Sequence, residues 1–249
     1  MTMIKRLIKK IINGLEYDIA KRGPEGPPII IEDEFINWLC FANPGMLERA
    51  NLYCFDCAVK NLPSDSPIIE IGSFCGLSTN VIAYYKSKYN RKNKLMTCDK
   101  WVFEGAQEGG NLGNSHISHT DYRKFVKESF MRNIKFFSNS DLPFPIEVSS
   151  DEFFEAWGKQ KALVDIFGNK VNAGGRVSFV YIDGDHAYEH VKRDFLNSDR
   201  FLEVGGFLLF DDSSDGSGFE VNKAMKDVIQ SGKYELIKNK NYFFKKIRA

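Results

Sequence analysis

The chain has 249 residues, of which 43% are hydrophobic and 27% are charged, values close to those of ordinary globular proteins. This composition excludes a mostly disordered chain, and the formal net charge of +1 provides no global attraction to nucleic acid or anionic lipid. The length suits one α/β domain with an extension as well as it suits two small domains.

The first predicted element is a basic amphipathic helix. Apolar residues recur at helical spacing with basic residues between them, namely Ile4, Leu7, Ile8, Ile11, Ile12 and Leu15 with Lys5, Arg6, Lys9 and Lys10. Such a helix can lie on an anionic membrane, but we expect it to dock on its own domain or on a second copy, which would make a homo-oligomer. The Pro- and Gly-rich residues 22–28 predict a linker, so the extension is placed at 1–28 and the main domain at 29–249.

Two helices joined by a turn are predicted between residues 32 and 62, where helical spacing is interrupted by Asn-Pro-Gly at 43–45. Cys54 and Cys57 form a CxxC in this region, but no second CxxC or paired histidine follows at zinc spacing. We therefore interpret all five cysteines as reduced thiols. No apolar run approaches the roughly 18 residues of a membrane span and no cleavable signal is visible, so a cytoplasmic location is expected.

The rest of the chain alternates short apolar runs with helical stretches, which predicts a doubly wound α/β fold. The predicted strands are residues 67–71, 95–98, 146–148, 177–182, 206–210, 234–237 and 242–246. Several runs are apolar almost throughout, as expected of parallel strands buried on both faces. The last two predict an antiparallel pair, so we expect a Rossmann-like, mostly parallel seven-stranded sheet with an antiparallel C-terminal edge strand.

The first predicted strand ends in a glycine-bearing turn, EIGSFCGLS, that runs directly into a helix. Gly72 and Gly76 let the backbone turn sharply and approach a ligand, and Ser73 and Ser78 lie in the same turn. The pattern is GxxxG rather than the GxGxxG of dinucleotide sites, and Glu70 precedes it. A carboxylate there would repel a pyrophosphate, which disfavours an NAD-dependent oxidoreductase and suits a cationic ligand; a purely structural turn is the simpler alternative.

Asp99 closes the second predicted strand, about 20 residues beyond the glycine turn. An acidic side chain at this place in such folds usually accepts hydrogen bonds from ribose hydroxyls. A nucleoside with an amino-acid tail and no phosphate satisfies both Asp99 and Glu70. S-adenosylmethionine is such a molecule.

Acidic residues also close the two strands that follow, since SFVYID ends in Asp183 and FLLFDD ends in Asp211 and Asp212. Neighbouring parallel strands would bring these carboxylates to one sheet edge, where uncompensated like charges are costly. A hard cation would relieve the repulsion, and we expect Mg²⁺, with Ca²⁺ or Mn²⁺ as alternatives, rather than zinc. The alternative is that these aspartates cap helices or stay solvated.

His186 lies three residues beyond Asp183 and is a candidate general base, because an imidazole titrates near neutrality. A lone histidine is more often structural, but a position beside the proposed metal favours catalysis. His190 is expected to be a solvated or packing residue, and His116 and His119 show no metal-ligand spacing.

From about residue 67 to the C-terminus, these motifs resemble those of class I S-adenosylmethionine-dependent methyltransferases. EIGSFCGLS resembles the first motif of catechol-type O-methyltransferases. YIDGDHAYEHVKRD and GGFLLFDD are similar to motifs of the macrocin and mycinamicin sugar O-methyltransferases.

The resemblance implies roles for particular residues. The cofactor would be held by Glu70, Gly72, Ser73, Gly76, Ser78, Asp99, Ser150, Asp151 and Asp183. Within that set, Asp99 would bind the ribose, and Ser150 and Asp151 would lie near the adenine. Metal binding would fall to Asp183, Asp211 and Asp212. His186 stands where sugar-modifying relatives carry a histidine and catechol-type enzymes carry a lysine base.

The implied reaction is methyl transfer to a hydroxyl by in-line displacement at the sulfonium carbon, with the metal holding the acceptor oxygen and His186 taking the proton. Adjacent hydroxyls chelate best, so we expect a sugar or glycosylated natural product, with a catechol or other phenol as the alternative. The long polar insert at 101–144 corresponds to lids over acceptor pockets in relatives. The remaining rival is a non-catalytic interaction protein that works through its N-terminal helix.

Overall fold

The computed structural model describes residues 27–103, 106 and 109–249, so the predicted N-terminal helix and most of the linker lie outside the described residues. The helices are α1 (Glu34–Ala42), α2 (Asn51–Lys60), α3 (Leu77–Lys88), α4 (His119–Phe137), α5 (Ser150–Gly158), α6 (Tyr188–Phe201) and α7 (Val221–Gln230). The strands are β1 (Ile68–Ile71), β2 (Leu95–Cys98), β3 (Phe144–Ile146), β4 (Ala162–Val164), β5 (Lys170–Asn172), β6 (Val177–Ile182), β7 (Leu202–Phe210), β8 (Tyr234–Leu236) and β9 (Phe243–Lys246).

The main sheet has the strand order β3-β2-β1-β6-β7-β9-β8. The first five of these strands are parallel, and β9 runs antiparallel to both β7 and β8 at the C-terminal edge. Successive residues of β6 pack on opposite faces of the sheet, since Val180 belongs to one core cluster and Phe179 and Tyr181 belong to the other. The predicted doubly wound, seven-stranded sheet is therefore confirmed.

The two helices predicted before the sheet are present as α1 and α2, and all five cysteines are free thiols, as expected. Cys54 is buried in α2, whereas Cys57 is half-buried on the same helix. Helix α1 begins where the carboxylate of Asp33 accepts a hydrogen bond from the amide of Ile36 at 3.1 Å. No helix among the described residues is long and apolar enough to cross a membrane.

Two predicted strands differ from the structure by more than one residue at an end, and one hairpin was not predicted. β3 lies at Phe144–Ile146 rather than 146–148, because Ser149 begins α5 as its N-cap and leaves no room for a later strand. β7 starts at Leu202, four residues earlier than predicted. Its first four residues include Glu203 and Gly205, which interrupt the apolar run that the prediction relied on. The hairpin β4–β5 was not predicted, since its strands have three residues each and are mostly exposed.

Part of the predicted polar insert is a long helix that packs beside the glycine turn. α4 spans 19 residues and buries Val126, Phe130 and Ile134. These side chains form a small core cluster with Cys75 of the glycine turn and with Trp101. The insert therefore contributes a wall next to the carboxyl ends of β1 and β2; its role as a lid stays a prediction.

Candidate active site

The loop after β1 is tied to the loops after its two neighbouring strands. The amide of Gly72 donates to the carbonyl oxygen of Cys98 at 3.0 Å, and the amide of Asp183 donates to that of Ile71 at 2.8 Å. These bonds hold the carboxyl ends of β2, β1 and β6 side by side. The ligand-bearing edge that the sequence predicts is therefore assembled from three adjacent loops.

Both glycines of the turn lie close to neighbouring segments of the protein, and packing requires a glycine at Gly72. Gly72 has φ +81°, and a Cβ built on it would lie 1.9 Å from the carbonyl oxygen of Asp183. Gly76 has φ +85°, and its Cβ would lie 3.0 Å from side-chain atoms of Phe130 and Ile134 in α4. We expected these glycines to allow the close approach of a ligand. The close approach of a neighbouring loop and of α4 is a second explanation for glycine at these positions.

Glu70 is fully buried at the end of β1, and two hydroxyl groups at the start of α3 bind it. Ser78 Oγ donates to one carboxylate oxygen and Thr79 Oγ1 donates to the other, each at 2.5 Å. Burial raises the pKa of Glu70 to about 7; the two hydroxyls lower it and the charge of Asp99 adds to the rise. Thr79 was missed by the sequence reading, although it directly follows Ser78 in the same helical turn.

We expect the Glu70→Gln substitution to remove a pH-dependent loss of stability. Because the pKa is raised in the folded protein, the native state keeps a proton between pH 4.5 and about 7 that the unfolded chain has lost, so stability falls as the pH rises through this window. Glutamine cannot ionise, and the variant should gain about 3 kcal/mol relative to wild type between pH 4 and pH 8. Urea unfolding of both proteins at the two pH values measures this difference; an equal gap at both would contradict it.

Asp99 follows β2, and backbone amides of two loops surround its carboxylate. The amides of Ser73 and Phe74 donate to Oδ2 at 2.8 and 3.0 Å, and the amide of Trp101 donates to Oδ1 at 2.5 Å. Burial raises the pKa of Asp99, and the hydrogen bonds from these backbone amides partly offset the rise. Because a carboxylate has about four acceptor sites, this arrangement leaves capacity for a further donor such as a ribose hydroxyl.

A buried hydroxyl in the glycine turn has no hydrogen-bond partner among the described residues. Ser73 is 2% exposed, and its Oγ atom lies in the loop after β1. The backbone amide of the same residue binds Asp99. Buried polar atoms are rarely left without partners, so such an atom in a turn is a sign of an absent ligand or water. This observation fits a cofactor at the place predicted from the sequence.

The structure brings Asp183 and Asp211 together around a phenol that the sequence reading missed. Tyr181 Oη is 3.1 Å from Asp183 Oδ2 and 2.9 Å from Asp211 Oδ2. A phenol has one proton to donate, so the two carboxylates share it. The signal in the sequence was the spacing, since Tyr181 and Asp183 are two residues apart and point to the same face of β6.

Asp211 is otherwise occupied by two amides from distant parts of the chain. Asn51 Nδ2 and Asn241 Nδ2 donate to Asp211 Oδ1 at 2.6 and 2.8 Å, and Asp211 is 4% exposed. Burial raises the pKa of Asp211 to about 6, and the charge of Asp212 adds to the rise. Burial also raises the pKa of Asp183 well above its usual value, together with the charge of Asp211.

His186 lies between Asp183 and Asp212 on the more open side of this cluster. Its Nε2 atom is 3.5 Å from Asp212 Oδ2 and 4.0 Å from Asp183 Oδ1, and its ring packs on Phe219 at 4.7 Å between centroids. Asp212 has φ +47°, a left-handed conformation that is uncommon outside glycine and is often found at functional sites. The predicted general base and two of the predicted metal ligands thus face one space.

The other predicted groups are placed differently. His190 Nδ1 lies 2.6 Å from Asp185 Oδ2, so its half-exposed ring is held by a polar contact at the start of α6. Asp151 contacts Arg193 Nε at 3.4 Å and accepts a bond from Asn197. Ser150, the first residue of α5, hydrogen bonds to Asp194. The adenine role of Ser150 and Asp151 stays a prediction.

Within the part of the chain that the structure describes, no three His, Cys, Asp or Glu side chains are arranged so that they could hold a metal ion as they stand. The oxygens of Asp211 point to Asn51, Asn241 and Tyr181. Asp183, Asp211 and Asp212 nevertheless supply the hard oxygen donors that Mg²⁺ prefers. The donor chemistry fits such a cation, and Asp211 would have to release the Tyr181 phenol to take part.

Comparisons with known proteins agree with this geometry. A family model described as a methyltransferase domain matches residues 69–213. Uncharacterized protein R132 of Acanthamoeba polyphaga mimivirus is 27% identical over 175 aligned positions, and the match covers 68% of this chain and 63% of that protein. The matched region thus spans less than two thirds of that relative's length.

Solved structures share the fold at low sequence identity. CalS11, a TDP-rhamnose 3'-O-methyltransferase of calicheamicin biosynthesis, is 15% identical with a TM-score of 0.54, over 98% of this chain and 95% of that one. TomG, the O-methyltransferase of tomaymycin synthesis from Streptomyces achromogenes, was solved in complex with SAM; it is 11% identical with a TM-score of 0.52, over 100% of both chains. At these identities the likeness is one of fold.

Proposed function

The chain belongs to the methyltransferase-domain family, and from this premise we propose that it is an S-adenosylmethionine-dependent O-methyltransferase acting on a small molecule. The observation that carries the proposal is the pair of acidic groups at the ends of β1 and β2. Burial raises the pKa of both Glu70 and Asp99, and the charge of Asp99 further raises the pKa of Glu70. A cationic ligand with ribose hydroxyls would offset both costs.

The chain's own residues then have separable roles in binding. Ser73 provides a buried hydroxyl without a partner among the described residues, and Asp99 provides a carboxylate held in place by three backbone amides. Glu70 is held by Ser78 and Thr79 at the start of α3. Because these groups are fixed before a ligand arrives, binding would require little rearrangement. When bound, the cofactor supplies the methyl group on a sulfonium sulfur.

His186 is the proposed general base. Its ring is held against Phe219 and is only 25% exposed, so Nε2 is aimed into the space that also receives Asp183 and Asp212. The imidazolium that would form after the acceptor hydroxyl loses its proton would lie beside these two carboxylates. His186 therefore holds that proton close to the acceptor.

We also propose that Asp183 and Asp212, with Asp211, hold a Mg²⁺ ion. When bound, such an ion would polarise the acceptor oxygen as a Lewis acid. The support is the concentration of negative charge at one edge, where the charge of Asp211 raises the pKa of Asp183 and the charge of Asp212 raises that of Asp211. A divalent cation would relieve this repulsion.

The acceptor is proposed to be a sugar or a glycosylated natural product. The motif around Asp183 and His186 resembles that of sugar O-methyltransferases, and the fold is shared with CalS11, whose name describes a TDP-rhamnose methyltransferase. A catechol or another phenol is the alternative acceptor. A screen of sugars, nucleotide sugars and catechols with methyl-labelled cofactor distinguishes these classes by which product carries the label.

The test of the proposed function is calorimetry with S-adenosylmethionine, followed by the labelled screen. We expect saturable binding of one cofactor per chain, and weaker binding by Asp99→Ala because the ribose loses an acceptor and the glycine turn loses its anchor. A control is Asp165→Ala, which removes a carboxylate that accepts hydrogen bonds from the amides of Phe167 and Asn169 within the β4–β5 loop. The absence of cofactor binding by the wild-type chain would leave the non-catalytic interaction protein as the better interpretation.

Metal removal gives a separate prediction. We expect EDTA to lower the methyl-transfer rate and excess Mg²⁺ to restore it, and Asp212→Ala to weaken Mg²⁺ binding measured by calorimetry. Asp215→Ala is the matched control, because that carboxylate is bound to Lys238, Tyr242 and Asn222 away from His186. Methyl transfer that resists the chelator would contradict the metal site and leave the cofactor site untouched.

A further inference from the structure

Helix α1 exposes an aromatic stripe on the side that faces away from the core. Ile36 and Leu39 are buried, whereas Phe35, Trp38 and Phe41 are 41%, 66% and 84% exposed. The three aromatic residues recur at i, i+3 and i+6 along the helix, and Phe35, at the beginning of this stripe, stacks on Tyr84 of α3 with 4.7 Å between the ring centroids. Trp38 and Phe41 already contact each other edge to face, with 6.3 Å between their centroids. A second apolar face on a short surface helix indicates an interaction site.

Acidic side chains flank the beginning of this stripe. Glu32 and Glu34 are both exposed and stand immediately before and within the first turn of α1. Arg49 is 4.0 Å from Glu32 and hydrogen bonds to Asn37, so one edge of the stripe carries a compensating charge. The complementary occupant is an apolar stripe bordered by basic residues.

We propose that residues 4–15 of this same chain occupy the aromatic stripe of α1. Their sequence predicts a helix with an apolar face and with four basic residues beside it, namely Lys5, Arg6, Lys9 and Lys10. Burying the aromatic rings under the Ile and Leu side chains would remove apolar surface from water, and the basic residues would approach Glu32 and Glu34. Glu34, and Glu32 in competition with Arg49, supply the negative charges complementary to these basic residues.

The connection between the two segments favours an intramolecular contact. Ile29 is anchored to the domain, since its amide donates to Asn239 Oδ1 at 2.7 Å and its carbonyl accepts from Asn239 Nδ2 at 2.9 Å. The chain therefore enters the domain five residues before α1. The intervening residues 16–28 include three prolines and two glycines, which allow the chain to reverse direction and span up to roughly 3.3 Å per residue. A tethered segment at this distance has a high effective concentration over the stripe.

Tryptophan fluorescence offers a specific probe of this contact. The chain has three tryptophans, and Trp101 and Trp157 are 1% and 0% exposed, so Trp38 is the one within reach of a quencher in the described structure. The experiment measures acrylamide quenching of the full chain and of the double variant Ile8→Asp/Ile11→Asp. The matched control is Thr2→Asp/Asn13→Asp, which adds the same charge on the opposite face of the predicted helix. A Trp38→Phe variant identifies the quenchable component.

We expect Trp38 to be protected in the wild-type chain and in the control, and the Ile8→Asp/Ile11→Asp variant to be quenched several-fold more with emission shifted to longer wavelength. The protection should not change when the protein is diluted. Strong quenching that is equal in all three proteins would overturn the proposal. Protection that disappears on dilution together with a dimer mass would assign the stripe to a second copy instead, and protection that requires phosphatidylserine vesicles would assign it to a membrane.

Discussion

Replacement of Gly72 by alanine is expected to lower the free energy of unfolding by at least about 4 kcal/mol, which would leave little folded protein. The new Cβ would lie 1.9 Å from the carbonyl oxygen of Asp183, which is backbone and cannot rotate away. The loops after β1 and β6 would have to separate, and the hydrogen bond from the amide of Asp183 to the carbonyl oxygen of Ile71 would be lost. Urea unfolding, or the soluble yield if unfolding is complete, measures the effect.

The control is Gly216→Ala, because Gly216 has nearly the same backbone conformation in open space. Its φ is +83°, and a Cβ there would meet no atom within 4 Å. Alanine at this position has only the conformational cost of a left-handed residue, about 1 to 2 kcal/mol. The difference between the variants isolates the contact with Asp183. Equal losses at both positions would show that backbone conformation alone explains the need for glycine.

Replacement of His186 by alanine is expected to lower kcat by about 10² to 10⁴, the usual contribution of a positioned general base. The affinity for S-adenosylmethionine should stay within a few-fold of wild type, because Glu70, Ser73 and Asp99, the groups whose contacts support cofactor binding, lie at the ends of β1 and β2. The measurement combines single-turnover methyl transfer with calorimetry. A fall in affinity without a fall in the chemical step would mean that His186 binds rather than catalyses.

His190→Ala is the matched histidine control for that experiment. His190 lies in the first turn of α6, just after the loop that contains His186. It contacts Asp185 rather than Asp183 or Asp212. It therefore tests whether any loss in His186→Ala comes from disturbing the start of α6. We expect kcat close to wild type in this variant. A similar loss in both variants would assign the effect to the loop between β6 and α6 and not to proton transfer.

The architecture was largely readable from the pattern of apolar residues. The runs that became β1, β2 and β6 are mostly apolar and are buried at every position, and their lengths and spacing left few alternatives to a parallel sheet. The resemblance to methyltransferases is confirmed by the family match, and the fold is shared with CalS11. The hairpin β4–β5 was missed because three-residue strands on the surface carry no periodic signal, and it is ordered instead by backbone bonds to Asp165.

The chemistry of single residues was less readable than their positions. The sequence predicted that Asp183, Asp211 and Asp212 meet at one edge, and the structure places them around Tyr181 and His186. The sequence did not show that Asp211 is buried while Asp212 is exposed to solvent. Asp211 is 4% exposed and bound by two asparagines, whereas the side chain of Asp212 is 42% exposed.

What the sequence determined by itself is therefore the sheet, the glycine turn and the inventory of acidic groups, because each depends on residues that are close together along the chain. Only the tertiary structure decided how each group is used. Asn51 and Asn241 are 160 and 30 residues from Asp211, and Gly72 is required by a loop more than 100 residues away. Hydrogen bonds and close approaches of this kind are set by how distant segments pack, and they leave no local pattern in the sequence.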